Sequence, residues 1–335
     1  MSEITLKRFF DYHQAFAEPL VIHIVAVVGA FLAVAPIAIL VLNKMGWLGP
    51  DLRKDLFRRY FGLLIMAPVT VAPILLGAAW TIAAVMILSL LCFREFARAV
   101  GFFRERAMSL MVMFGILAVT FSVADHWYRL FVALSPLIII IMALTAILGD
   151  RPMGFIQRVA LGILSFTLFG VCLGHLGYFA NDTRYRPMLL LLILCAQLND
   201  VFDYGIGKIL GGPKLAHQTN PGKTISGAIG ALILTTILVT WLSGFLFREG
   251  TLHEAPFRIV LGIFVSLAGQ LGSLTLSAVQ REVGITDKFY VIPYHGGLLD
   301  WANCLLFSAP VLFHYVNYFH PIGFDQPARI FSGGG

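Results

Sequence analysis

Two polar stretches in the last 140 residues carry the side chains best suited to phosphate or metal chemistry. The first holds Asp200 and Asp203, followed by Asn220-Pro221-Gly222-Lys223-Thr224. Two carboxylates three residues apart share a face if the backbone is helical. At the end of an apolar segment such groups are costly unless paired, solvated or bound to a cation. Lys223 and Thr224 open a long apolar run, so free backbone N–H groups and a cation could hold an anion there. A plainer alternative fits equally well: Pro-Gly turns the chain, Lys223 snorkels and Thr224 caps the helix. The spacing of a P-loop and its preceding strand are both missing, which excludes a P-loop NTPase. The second stretch leaves an apolar segment at Gln280-Arg281 and passes Asp287 and His295-Gly296-Gly297. It re-enters an apolar segment at Asp300-Trp301. Arginine, histidine, carboxylates and glycine-freed N–H groups suit a phosphate substrate, against the simpler reading of a turn followed by an N-cap.

The elements that must position these residues are membrane helices. Of 335 residues, 59% are hydrophobic and only 13% charged, with mean hydropathy +0.85. Soluble domains carry about 25% charged residues, so the chain belongs in lipid. Four scattered cysteines form neither a metal spacing nor a disulfide framework. The +6 charge resides in short loops and does not point to nucleic acid. Apolar spans are expected near 20–42, 108–124, 130–148, 159–178, 187–202, 224–247, 258–279 and 300–318. Residues 61–93 are almost uncharged and would make about 50 Å of helix against a hydrocarbon core of about 30 Å. They are therefore split near Pro73 and Gly77 into two helices, giving an all-α polytopic membrane protein of about ten spans.

Loop charge orients this scheme. With the N-terminus outside, loops 44–60, 94–107, 149–158, 203–223 and 279–299 face the cytoplasm and hold 16 of the 24 Lys and Arg residues, as the positive-inside rule requires. Both polar stretches then lie on the cytoplasmic side of the inner membrane, where nucleotides are found. Residues 1–19 read as an interfacial segment and 20–186 as N-terminal spans. Residues 187–320 read as C-terminal spans forming the candidate catalytic region with its two polar loops, and 321–335 as a C-terminal tail whose Ser-Gly-Gly-Gly end is frayed. His175 reads as a packing residue, and Gln197 and Gln270 as interhelical hydrogen-bonders.

From 199 to 312 the sequence resembles the phosphatidate cytidylyltransferase (CDP-diacylglycerol synthase) family. Pro221, Lys223, Thr224 and Gly227 match its Pro-x-Lys-Thr turn, and Asp200, Tyr204, Gly207, Lys208, Gly211 and Lys214 fit the run before it. Gly272, Leu274, Ser277, Arg281, Gly284, Asp287, Pro293, His295, Gly296, Gly297 and Asp300 match its signature without a gap. Phe93-Arg94-Glu95-Phe96 is also family-like. The resemblance implies transfer of CMP from CTP to phosphatidate, with Mg²⁺ offsetting the repulsion of two anions. It implies Lys223, Arg281 and Asp300 as catalytic, and Asp300 and Asp200 as metal ligands. Asn220, Pro221, Gly222, Thr224, Asp287, His295, Gly296 and Gly297 would bind substrate.

The departures fall on the chemistry. Ser273, Leu276, Asn303 and Ser226 stand where the family has acidic residues, while Gln280 and Trp301 replace a lysine and an arginine. A cytidylyltransferase acting on phosphatidate or a related lipid phosphate is therefore weighed against a relative with an altered substrate or little turnover. A transporter is the third alternative, though no internal repeat supports it. The sequence leaves open a homodimer.

Overall fold

In the computed structural model, residues 3–45, 50–284 and 297–333 are described. They form twelve α-helices and, among the described residues, a single two-stranded hairpin. The helices are α1 (Glu3–Phe10), α2 (Pro19–Lys44), α3 (Pro50–Leu76), α4 (Ala78–Ala99), α5 (Arg106–Ala124) and α6 (Tyr128–Leu148). After α7 (Phe155–Ser165) a π-helical segment, Phe166–Cys172, leads directly into α8 (Leu173–Phe179). Then come α9 (Tyr185–Leu210), strands β1 (Lys214–Ala216) and β2 (Asn220–Thr224), α10 (Ile225–Leu246), α11 (Ala255–Glu282) and α12 (Leu298–Phe319). Among the described residues eight helical runs are long and apolar enough to cross a membrane. The other two apolar segments expected from the sequence are a shorter stretch of α3, Tyr60–Leu76, and α12.

The break in the uncharged stretch falls at one residue. Gly77 has φ 138°, a conformation open to glycine, and a Cβ there would collide with the Phe9 carbonyl of α1. The helices close around a continuous core that includes Phe166, Phe169, Leu189, Leu305 and Phe313. The outer face of α6 leaves Val132, Leu137, Ile140 and Ile147 exposed, as a helix solvated by lipid does.

With no water in the hydrocarbon, polar side chains in the bundle must satisfy one another. Gln197 Nε2 donates to the Trp301 carbonyl at 2.9 Å, joining α9 to α12, and Gln270 Nε2 donates to the Ala228 carbonyl at 3.1 Å, joining α11 to α10. Fully buried Asn199 accepts at Oδ1 from Thr235 Oγ1 at 3.0 Å and Ser266 Oγ at 2.6 Å. His175 packs edge-on against Phe131 and Phe313 and meets His314 at 3.2 Å.

Three expectations are corrected. Helix α9 does not stop near 202 but runs to Leu210, because its 203–207 face packs against α10. Pro221 and Gly222 do not turn the chain: they lie in strand β2, and the hairpin reverses before Asn220. The Ser-Gly-Gly-Gly end does not fray from its first residue, because the tail is docked as far as Ser332. The buried Asp125 carboxylate accepts from the Phe331 N–H at 2.5 Å, the Ser332 N–H at 3.0 Å and Ser332 Oγ at 2.6 Å. Phe331 stacks on Phe9, and the Gly323 N–H donates to Asp182 Oδ2 at 3.2 Å. This strap closes the end of the bundle that also holds α1 and the α8–α9 turn, where Arg8 Nη1 donates to Asn181 at 2.9 Å.

Two titrations bracket the strap's attachment. Burial raises the Asp125 value, but hydrogen bonds from Ser332 and Phe331 outweigh it and leave the carboxyl below its ordinary value. A depressed carboxyl stabilises above about pH 3.9, and that contribution is lost as pH falls. The hydrogen bond to Asp182, opposed by burial, raises His320. Its contribution is complete below about pH 6.5 and is lost as pH rises through the elevated value. Hydrogen exchange at 320–332 is therefore expected to accelerate as pH is raised past neutrality, after correction for intrinsic rates. His320→Gln should remove that acceleration, and Asp125→Ala should expose the strap at every pH, costing about 1–3 kcal/mol. Equal protection in Asp125→Ala and wild type would refute the clamp.

Candidate functional site

The site is built where α9 and α10 cross. Gly207 and Gly227 face each other so closely that a Cβ on Gly227 would strike the Asp203 carbonyl, and one on Gly207 would meet Thr224 Oγ1. This approach brings Lys223 Nζ to 3.0 Å from Asp203 Oδ2, with side chains only 11% and 4% exposed. Lys223 therefore does not snorkel into solvent. It also lies within electrostatic reach of Asp200, one turn earlier on α9. Thr224 caps α10, its Oγ1 accepting from the Gly227 N–H at 3.1 Å. Ser226 Oγ donates to the Gly211 carbonyl, holding the hairpin's base to the same helix end. Asn220 turns its Oδ1 to the Gly222 N–H at 3.1 Å and donates from Nδ2 to Ser277 Oγ on α11 at 3.0 Å. The strand carrying Lys223 is thus fixed to both α10 and α11.

A second crossing supplies the opposite wall. A Cβ on Gly272 would strike the Asn303 carbonyl, so α11 and α12 run in close contact. Across it Gln280 Nε2 donates to Asp300 Oδ1 at 2.8 Å, while Asp300 Oδ2 faces the Gly297 N–H at 3.4 Å. Asp300 is not itself the N-cap, which is Gly297, but three residues further on it accepts from the N-cap N–H. Arg281 is exposed in the last turn of α11. Cys304, one turn beyond Asp300, lies in the field of both Asp200 and Lys223, so the two walls meet. Gly297 begins α12. Asp287, His295 and Gly296 lie outside the described residues.

Glu95 was not singled out from the sequence as a site residue. It comes from the last turn of α4, is 4% exposed, and accepts at Oε2 from the Leu299 N–H at 3.1 Å. A Cβ on Gly297 would collide with it, so the glycine is what admits the carboxylate. Glu95 therefore meets the positive end of the α12 dipole. A carboxylate in the last turn of an apolar span was the available signal. Asn199 was likewise missed, because only tertiary contact shows that its amide points into the bundle.

Glu95 Oε1, Asp200 Oδ1, Asp203 Oδ1 and Asn303 Oδ1 are buried oxygens without a hydrogen-bond partner among the described residues. Unpaired buried oxygens are expensive, and this end of the bundle is equipped to accept a cation or N–H donors. Among the described residues no three His, Cys, Asp or Glu side chains converge into a metal cage. Two carboxylates with neutral oxygens nearby would fit Mg²⁺, since that ion keeps waters and needs only one or two carboxylates.

The chain belongs to the cytidylyltransferase family, whose model matches residues 57–319. It is an integral membrane protein of that transferase class. An uncharacterised Escherichia coli (strain K12) protein, YnbB, is 25% identical over 78% of this chain and 86% of its own length. The phosphatidate cytidylyltransferase of Rickettsia bellii is 28% identical over 54% of this chain and 87% of its own. That of Bacillus subtilis is 29% identical over 50% of this chain and 59% of its own.

Two substitutions test the construction. Asp203→Ala leaves the Lys223 ammonium buried without its partner and should cost about 3–5 kcal/mol, read as a lowered melting temperature in detergent. Asp203→Ala paired with Lys223→Met should recover most of that loss, and no recovery would show that the ion pair is not the cause. Glu95→Ala should increase hydrogen exchange at the 298–301 amides while leaving the Asp125-held strap unchanged.

Proposed function

We propose that the chain transfers the cytidylyl group of CTP to phosphatidate or a related lipid phosphate, releasing pyrophosphate and giving a CDP-activated lipid of the CDP-diacylglycerol type. A phosphate oxygen of the lipid forms the new bond to the α-phosphorus of CTP. The bond from that phosphorus to the oxygen bridging to the β-phosphate breaks, and its electrons leave with pyrophosphate. Both reactants are anions, so the enzyme must supply positive charge where phosphate charge accumulates.

Lys223 is the cation placed to do so: its ion pair with Asp203 holds it at the helix entrance while hydrogens remain free for phosphate oxygens. Arg281, exposed at the opposite wall, grips a second phosphate. Asn220, Pro221, Gly222 and Thr224 shape the strand-to-helix entrance, and Asp287, His295, Gly296 and Gly297 would bind nucleotide, as the family resemblance implies. Mg²⁺, held by Asp200 and Asp300 together with substrate oxygens, would neutralise charge on the transferring group. The observation that carries this reading is the convergence of Lys223, Asp200, Asp203 and Asp300 on one end of a bundle with cytidylyltransferase sequence. That end faces the cytoplasm in this reading, where CTP is found. Family membership argues against the carrier alternative.

A second reading rests on the Gln280–Asp300 hydrogen bond. Where the family pattern has a lysine, a neutral amide now occupies one Asp300 oxygen, and Ser273 and Asn303 bring no charge. A site with fewer charges of both signs suits a different lipid phosphate.

Turnover of labelled CTP with phosphatidate and Mg²⁺ in mixed micelles tests both. Under the first reading wild type forms CDP-diacylglycerol, and Lys223→Ala and Asp300→Ala each lose about 10²–10³-fold in kcat/KM. A silent wild type beside an active relative in the same assay refutes phosphatidate as substrate. Nucleotide-dependent thermal shifts retained by that silent protein support the altered lipid instead.

A further inference from the structure

The strap end of the bundle contains a cavity that the proposed transfer reaction does not use. It has a volume of about 850 Å³ and is lined by the turn into α6, by Tyr178 and by strap residues on both sides of Gly323. That volume suits a small ligand or a lipid headgroup. Asn317 on its wall lies about 25 Å along α12 from Asp300, so the two sites are separate.

Three independent features of the cavity ask for an anion. Tyr178 is 1% exposed and lines the cavity, yet its hydroxyl has no hydrogen-bond partner among the described residues. A buried donor left unmade is costly, and Tyr178 is one of the residues around the cavity. Arg129 and Arg329 both line it. Arg329 is steadied over the Trp127 ring at 4.9 Å and by Ser332 Oγ at 3.2 Å. The Arg129 side chain is exposed and makes no hydrogen bond or ion pair among the described residues. The nearby carboxylates do not consume it: Asp125 is occupied by Phe331 and Ser332, and Asp182 by Gly323, Arg184 and His320. Finally, α6, 21 residues long, begins at the cavity with no side-chain cap from Trp127, presenting free N–H groups and the positive dipole end.

We propose that this cavity is a second binding site, for a phosphate group, gripped by Arg129, Arg329 and the Tyr178 hydroxyl at the start of α6. Two forked guanidinium groups with a hydroxyl and backbone donors match the several acceptor oxygens of phosphate. The phosphate could belong to a membrane lipid, whose chains would run down the exposed Val132, Leu137 and Ile140 face of α6, or to a soluble phosphate. The site does not depend on the transfer chemistry proposed above.

The full chain in a phosphate-free maltoside detergent is titrated with phosphatidylglycerol or with inorganic phosphate, at ionic strength matched with chloride, and melting temperature is followed. Wild type should be stabilised by at least one probe, because a ligand that binds only the folded state raises its stability. Arg129→Ala and the isosteric Tyr178→Phe should each weaken the apparent affinity about tenfold. Arg248→Ala, elsewhere at this end, should leave it unchanged. Stabilisation by inorganic phosphate identifies a soluble ligand, and stabilisation by phosphatidylglycerol alone identifies a lipid. The proposal is overturned if neither probe stabilises the protein, or if Arg129→Ala and Tyr178→Phe respond as wild type does. A shift abolished by Lys223→Ala but retained in Arg129→Ala would also overturn it by assigning the phosphate to the other end.

Discussion

An ammonium and a carboxylate held 3.0 Å apart at the mouth of an apolar bundle, Lys223 and Asp203, set the terms for everything around them. Neither charge is tolerable there alone, so α9, β2 and α10 must meet in one arrangement. That arrangement requires backbones to approach without side chains between them, and Gly207 and Gly227 provide this. The hairpin follows as the device that delivers Lys223 to the crossing in extended form. Thr224 then ends the strand and starts the helix in a single residue. The ion pair is therefore both the hinge of the local fold and the source of the cation a phosphate would meet.

The same rule, that polar groups in hydrocarbon must find protein partners, organises the rest of the bundle. Asn199, Ser266, Thr235 and Gln270 knit α9, α10 and α11 together at mid-depth, and Gln197 ties α9 to α12. At one end Glu95 receives the N-terminus of α12. At the other end of α12 the chain continues into the strap that Asp125 clamps. A single helix thus spans the distance between the proposed transfer site and the distal cavity, and each of its ends is held by a carboxylate from another element.

Membership of the cytidylyltransferase family accounts for the positions of Pro221, Lys223, Arg281 and Asp300, and the departures from its pattern acquire physical content in the fold. Gln280 is a donor committed to Asp300. Ser226 is a donor committed to the Gly211 carbonyl, part of the scaffold that fixes the hairpin. Asn303 lies beside the close approach of Gly272, with its side-chain oxygen still unpartnered among the described residues. Two of these neutral replacements have taken structural duties, while the remaining carboxylates are supplied by α4, α9 and α12.

Much of this architecture is legible in the amino-acid sequence. Mean hydropathy and scarce charge require a helical membrane protein, because only helices satisfy their own backbone in lipid at these segment lengths. The excess length of residues 61–93 demands a break, and it occurs at Gly77. The ungapped motif matches identify the family and point to Lys223 and Asp300, and the capping chemistry of Thr224 is local enough to read from spacing. What the linear chain does not disclose is the set of contacts made between distant segments. Hydropathy marks where apolar character fades and so ends α9 near 202, whereas packing of Gly207 on Gly227 carries it to Leu210. Glu95 looks like a loop-edge charge in sequence because its partner is 204 residues away. The Ser-Gly-Gly-Gly end looks frayed because Ser332 finds Asp125 only after folding. Local sequence determined which segments enter the membrane and which residues carry charge, since those depend on side-chain chemistry alone. Tertiary structure decided which charges are paired, which oxygens remain open and which glycines admit a neighbour, because these depend on where separate helices cross.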